Sequence, residues 1–219
     1  MKKMIALVVI AFAAIISFAQ MPEKFVKAME AKMAAVDSTS TADGWIELAN
    51  SFERIAEAEK NQWLPYYYAA LSNVMAGYML GGANAMGGNA DKTDPMADKA
   101  EKLLNKAEEM AKDNSEIYAV KKMIATLRMM GDPMNRYMTY GPEAAAALEK
   151  AKTLNPDNPR VYILEGQDKF YTPEQFGGSR EEAKKLFEKA RQLFDTFRPE
   201  SSIHPNWGKG QVQYFLSQM

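Results

Sequence analysis

The sequence predicts an all-α chain built as a right-handed array of stacked antiparallel helix pairs. Three observations carry this. Ala100, Leu104 and Ala107, then Ala144, Leu148 and Ala151, then Ala183, Phe187 and Ala190 place small, large and small side chains at i, i+4 and i+7. That spacing is one helix face, suited to close contact with a neighbouring helix. No segment sustains an alternation of period two, so strands are not expected. Gly, Pro and Asn clusters punctuate the chain at helical lengths, and one helix pair cannot bury its own face whereas several stacked pairs can.

The elements follow in order. Pro22–Val36 reads as an amphipathic helix with Phe25, Met29 and Met33 on one stripe, and Pro suits its first turn. The polar run Asp37–Asp43 can cap the next helix, Gly44–Lys60, which carries Trp45, Leu48, Phe52 and Ile55. Leu64–Met79 is a helix rich in Tyr and Ala, and Gly81–Thr93 a Gly/Asn loop. Asp94–Lys112 and Ser115–Met130 form the next pair. Gly131-Asp132-Pro133 breaks the chain before a short helical piece at Met134–Tyr140, and Gly141-Pro142 opens a helix to Leu154. Asn155–Pro159 is a turn, Arg160–Phe170 a helix and Tyr171–Gly178 a loop. Ser179 and Glu182 make a capping-box pattern at the head of a helix to Phe197. Pro199–Trp207 is irregular, and Gly210–Met219 is a short final helix that caps the array.

With 219 residues, 47% of them hydrophobic, the chain can bury a sizeable core. Lys and Arg number 27 against 28 Asp and Glu. That balance gives no pull toward nucleic acid. Residues 1–19 read as a secretory signal: Lys2 and Lys3, an apolar run from Met4 to Phe18, then small residues Ser17 and Ala19 before Gln20. Cleavage near Ala19/Gln20 takes the formal charge from −1 to −3 and leaves 20–219 as a single helical domain, periplasmic or secreted, with no stable membrane anchor. There is no Cys. Disulfides, thiolate metal sites and lipid attachment at a signal Cys are therefore closed. Oligomeric state is not legible.

The chain resembles the tetratricopeptide repeat family. The match rests on Ala144, Leu148, Ala151 and Pro156 for the second helix of a unit, and on Tyr162 and Gly166 for the aromatic and Gly of the next first helix. Ala183, Phe187 and Ala190 complete that unit. Units lie about 40 to 50 residues apart, against 34 in the family, so the repeats are degenerate and carry insertions. The resemblance covers about Gly44 to Phe197 and is strongest from Gly141. It implies a binding or scaffold protein that engages a protein or peptide. The turns Tyr140-Gly141-Pro142 and Phe176-Gly177-Gly178 are also similar to those of periplasmic T-component proteins of tripartite uptake systems. That second resemblance implies an accessory that binds a small ligand.

Two surfaces are candidates. The insertions Gly81–Thr93, Gly131–Gly141 and Tyr171–Gly178 fall between the first and second helix of successive pairs, hence on one edge. They carry Met86, Met134, Tyr137, Met138, Tyr140, Tyr171 and Phe176, an apolar and aromatic set of the kind that lines ligand pockets. The ordinary alternative is that these side chains plug the ends of the helix pairs. The rival surface is the inner face, with Tyr66, Tyr118, Lys121, Lys122, Arg128, Tyr162 and Lys169, where Tyr beside basic groups can grip a peptide or its carboxylate. Its ordinary alternative is a solvated helix face.

Catalysis and cofactors find no constellation. His204 is the single His. There is no Gly-x-Ser-x-Gly elbow and no P-loop, and Gly81-Gly82 and Gly87-Gly88 follow no strand. The sixteen Met are scattered or at core spacing, as Met29 and Met33 are. Asn89, Asp91, Asp94 and Asp98 lack the ladder of a calcium loop. No metal, cofactor or enzymatic activity is expected.

Overall fold

A computed structural model describes residues 21–82 and 89–219. The described residues form nine α-helices and no strand. They are α1 (Glu23–Met33), α2 (Ala42–Ala58), α3 (Trp63–Gly81), α4 (Ala90–Met110), α5 (Ser115–Gly131), α6 (Pro133–Leu154), α7 (Pro159–Tyr171), α8 (Arg180–Thr196) and α9 (Lys209–Ser217). A single 3₁₀ turn, Glu174–Phe176, lies between α7 and α8. The expected signal segment and Met86 lie outside the described residues. No helix among those described is long and apolar enough to cross a membrane.

Consecutive helices pack in pairs, α3 with α4, α5 with α6 and α7 with α8. α3, α5 and α7 also touch one another in sequence and form an inner layer, with α4, α6 and α8 outside. The small–large–small faces make these contacts: all nine residues from Ala100 to Ala190 are buried. Small residues set the approach distance. A Cβ on Gly166 would stand 2.8–3.0 Å from the Phe187 ring, and one on Gly77 would overlap Leu127. α3 is buried nearly all round, from Leu64 to Gly77, which is why its apolar pattern shows no single stripe.

Caps fall where short polar side chains precede a helix. Thr41, Asn114, Asn158 and Ser179 each accept a hydrogen bond from a first-turn N–H. Ser179 Oγ takes the N–H of Glu182 at 3.1 Å, the donor a capping box satisfies.

Two sequence expectations need correction. The chain does not break into a short piece at 134–140 and a new helix at Gly141: α6 is continuous from Pro133. Pro142 sits inside it and leaves the Met138 carbonyl without its helical N–H. Both residues lie on the exposed face, where water can take that carbonyl, so the helix persists. For the same reason α4 starts at Ala90, with exposed Pro95 inside it, rather than at Asp94. Only Asp132, in a non-helical conformation before Pro133, separates α5 from α6.

α9 closes the array over α8. Val212 and Phe215 are buried there, and Phe215 stacks on Phe187 with centroids 4.6 Å apart and planes 3° from parallel. Gly208, at φ 106°, makes the left-handed turn that leads into α9.

Candidate functional site

The inner helices run parallel and in step. Near their starts Tyr67 of α3 reaches Glu116 of α5, and Asn158 before α7 bonds Ser115. Farther along, Tyr78 bonds the Met123 carbonyl, and Lys122 pairs with Asp168. The ends of α3, α5 and α7 therefore share one edge, and so do the links that follow α5 and α7.

The described candidates on that edge fall into two groups. On the first turns of α6, Met134 is 88% exposed and Met138 81%, with Tyr137 exposed beside them. Tyr140 is half-buried under the Arg128 guanidinium, 6.0 Å from its ring centre. The nearby cations are engaged: Arg136 forks onto Asp94 at 2.6 and 2.8 Å, and Arg128 holds Asp98 and Glu101. The Arg136 bond keeps the Asp94 carboxyl below its usual range.

The second group surrounds the ends of α7 and α9. Tyr171 is 68% exposed, Phe176 72% and Tyr214 59%. Tyr171 meets Phe170 and Phe215 edge-on at 5.0 and 5.9 Å, and Tyr214 meets Phe215 at 5.4 Å. Phe187 and Phe215 form the stacked floor. Burial, then the neighbouring Tyr214, pushes the Tyr171 phenol above its ordinary pKa, against the pull of Arg180, so it stays protonated near neutral pH. Beside this shelf lies an open hollow of about 310 Å³ bounded by Arg180, Glu181, Lys184, Gln218 and Met219. Arg180 stacks over Phe170 at 3.8 Å. Neither it nor Lys184 has a carboxylate partner among the described residues, whereas Glu181 is tied to Lys185 at 2.6 Å.

The inner-face candidates are largely occupied by the protein itself. Tyr66 is buried. Lys122, 3% exposed, holds Asp168 at 2.6 Å. Lys169 holds Glu182, and Lys121 holds Glu108, while its ammonium covers the Tyr118 ring. Tyr162 donates to the Pro156 carbonyl at 2.8 Å. A second open hollow of about 320 Å³ lies between α4 and α6 above α5, with Leu104, Ile124, Ala146 and Ala147 inside and Glu101 and Glu143 among its lining.

At the opposite edge lies a buried polar network that sequence reasoning missed. Arg160, 0% exposed, donates from Nε to Glu116 at 2.7 Å and pairs through Nη2 with its other oxygen. Asn158 also donates to Glu116, at 2.9 Å, and Ser115 donates to the Ala151 carbonyl. Trp207 Nε1 donates to the Tyr67 hydroxyl at 2.9 Å, and the Arg160 guanidinium faces the Phe197 and Trp207 rings. Every partner of the Arg160 guanidinium is distant in sequence, so no local signal marks it.

His204 belongs to the adjoining C-terminal turn. Its Nδ1 is 2.8 Å from Ser201 Oγ, its Nε2 is 3.2 Å from Glu200, and its ring meets Trp63 edge-on. Glu200 is almost wholly exposed and Ser201 Oγ is within reach of the Ile203 N–H. The three groups belong to one local turn, not to a buried acid–base pair. Burial is the main reason the His204 pKa lies below 6.5, with Glu200 and Glu116 acting the other way. The unfolded chain therefore takes up this proton first as pH falls. Stability is full above about pH 6.5 and declines as pH drops toward the folded pKa. Melting temperature should fall between pH 7.5 and 5, with a weaker slope in His204→Asn; equal slopes would assign the loss to other groups.

No protein-family model matches the chain, and no curated protein sequence matches it. Among solved structures, the HusA haemophore from Porphyromonas gingivalis matches with a TM-score of 0.76 and 32% sequence identity, across 91% of this chain and 94% of that one. With a third of residues identical over nearly the full length of both, this all-helical chain belongs to the family of the HusA haemophore.

Proposed function

We propose that this is an exported carrier that binds haem, or a closely related tetrapyrrole, without covalent attachment. The observation that carries the reading is the near full-length likeness to a haemophore. The exposed aromatic and Met-rich edge supports it, because a porphyrin is a broad apolar plane. The donor set also fits a cargo held by contact. There is no Cys for a thioether link. His204 is engaged by Ser201 and Glu200. Exposed iron donors at this edge, among the described residues, include the phenols of Tyr137, Tyr171 and Tyr214 and the thioethers of Met134 and Met138.

The small–large–small faces support reading the array as degenerate tetratricopeptide units, and a carrier of this kind suits an accessory to uptake. The peptide-gripping alternative has less support. Lys122, Arg128 and Lys169, the cations it needs, already hold carboxylates.

Titration of the purified chain with haemin tests the proposal. Saturable one-to-one binding is expected, with a shifted Soret band and quenched Trp and Tyr emission. Haemin that stays in its free spectrum at micromolar protein would overturn it.

A further inference from the structure

We propose that the seat of this ligand is the aromatic shelf of Tyr171, Tyr214 and Met219, with Arg180 and Lys184 binding its carboxylates. The inference rests on the haem-binding reading and adds the place and the polar chemistry.

A haem-like ligand makes two demands: a flat apolar surface for the ring, and cations for two carboxylates that leave one edge of it. Three other surfaces fail the second demand. The α4–α6 hollow has Glu101 and Glu143 in its lining, and its Lys121 holds Glu108. The Met134–Met138 stripe lies beside Arg128 and Arg136, both neutralised by Asp94, Asp98 and Glu101. The inner-face cations are paired in the same way.

The shelf meets both. Tyr171 and Tyr214 present exposed rings braced edge-on against Phe215, and that ring is stacked on Phe187. The platform is thus held by the core before any ligand arrives, which lowers the ordering cost of binding. The hollow of about 310 Å³ adjoins it, with Met219 on one side and Arg180 and Lys184 on the other. These two cations are at i and i+4 on α8, so their Cβ atoms lie about 6 Å apart on one face. Each lacks a carboxylate of the protein's own among the described residues. The acidic side chain of the hollow, Glu181, pairs with Lys185. Arg180 also sits over Phe170, its guanidinium carbon 3.8 Å from the ring centre, a contact that restrains the side chain while leaving donors for a carboxylate.

The test compares haemin with its dimethyl ester, in which both carboxylates are blocked. Wild type should bind the free acid more tightly than the ester. Arg180→Glu/Lys184→Glu should weaken haemin about tenfold or more, leave ester affinity unchanged and abolish the preference. Tyr171→Ala/Tyr214→Ala should weaken both ligands. Lys32→Glu/Lys102→Glu, reversing two exposed charges elsewhere, controls for net charge and should leave binding unaltered. Arg180 and Lys184 are exposed, so their variant should melt as wild type does. Haemin bound equally by wild type and the Arg180/Lys184 variant would overturn the seat and leave the carrier reading standing. A wild-type chain that binds neither ligand would overturn both.

Discussion

Arg160→Ala should destabilise the protein by about 3–5 kcal/mol, the usual result of removing one partner from a buried ion pair. The guanidinium is fully buried, and Glu116 beneath it is nearly so. Without Arg160, Glu116 keeps one good hydrogen bond, from Asn158, and a long contact of 3.4 Å from Tyr67. A carboxylate left in that position loses its water and its counter-charge together. Burial and the Glu116 charge push the Tyr67 phenol well above its ordinary pKa, so it stays a neutral hydrogen-bond donor and brings no counter-charge. The substitution also empties the space between Phe197 and Trp207, which ties the C-terminal segment to α7. For a chain of this size the loss corresponds to a fall in melting temperature on the order of 6–20 °C. Arg160→Met with Glu116→Leu should recover most of it, since an apolar pair of similar volume removes the stranded charge. A single-variant loss below about 1 kcal/mol would mean that water reaches Glu116, and would deny the network its structural role.

Phe187→Ala should have a comparable effect, about 3–5 kcal/mol. Phe187 is wholly buried, packs its edge against Gly166 of α7 and stacks its face on Phe215 of α9. It joins α7, α8 and α9 within one cluster. Truncation therefore leaves a cavity that the backbone near Gly166 is too rigid to fill, and it also loosens the floor under Tyr171 and Tyr214. The variant should melt early and bind haemin weakly. Gly166→Ala should act in the opposite sense on the same contact, by overpacking, because its Cβ would lie 2.8 Å from the ring. In Gly166→Ala/Phe187→Leu the two changes should partly offset. Additive losses would show that the residues do not share the contact.

The helix content and its pairing were legible because their cause is local. The face Ala144–Leu148–Ala151 has the period of a helix and is buried in the array. Ser179 and Asn158, short polar side chains just before apolar runs, cap the helices they precede. The extent of α6 was not legible. Gly141-Pro142 reads as a break by local rules, and only the exposed position of that stretch lets the helix continue through it. For the site, exposed Tyr171 and Phe176 could be singled out because aromatic residues in a Gly-bearing link stand apart from ordinary loops. Arg180 and Tyr214 could not. Arg180 looks like one more charge on an amphipathic helix, and Tyr214 like part of a terminal cap.

The sequence by itself determined that this protein is helical, that its helices meet through small–large–small faces, and where most of them start. Each of these follows from side-chain size and hydrogen bonding within a few residues. Tertiary structure alone decided which charges are free. Lys122, Arg128 and Lys169 look as available in sequence as Arg180 and Lys184 do, but Asp168, Asp98, Glu101 and Glu182 reach them from other helices. Whether a cation can receive a ligand depends on which carboxylates the packing of separate helices brings within about 4 Å of it, and that distance is set by the fold.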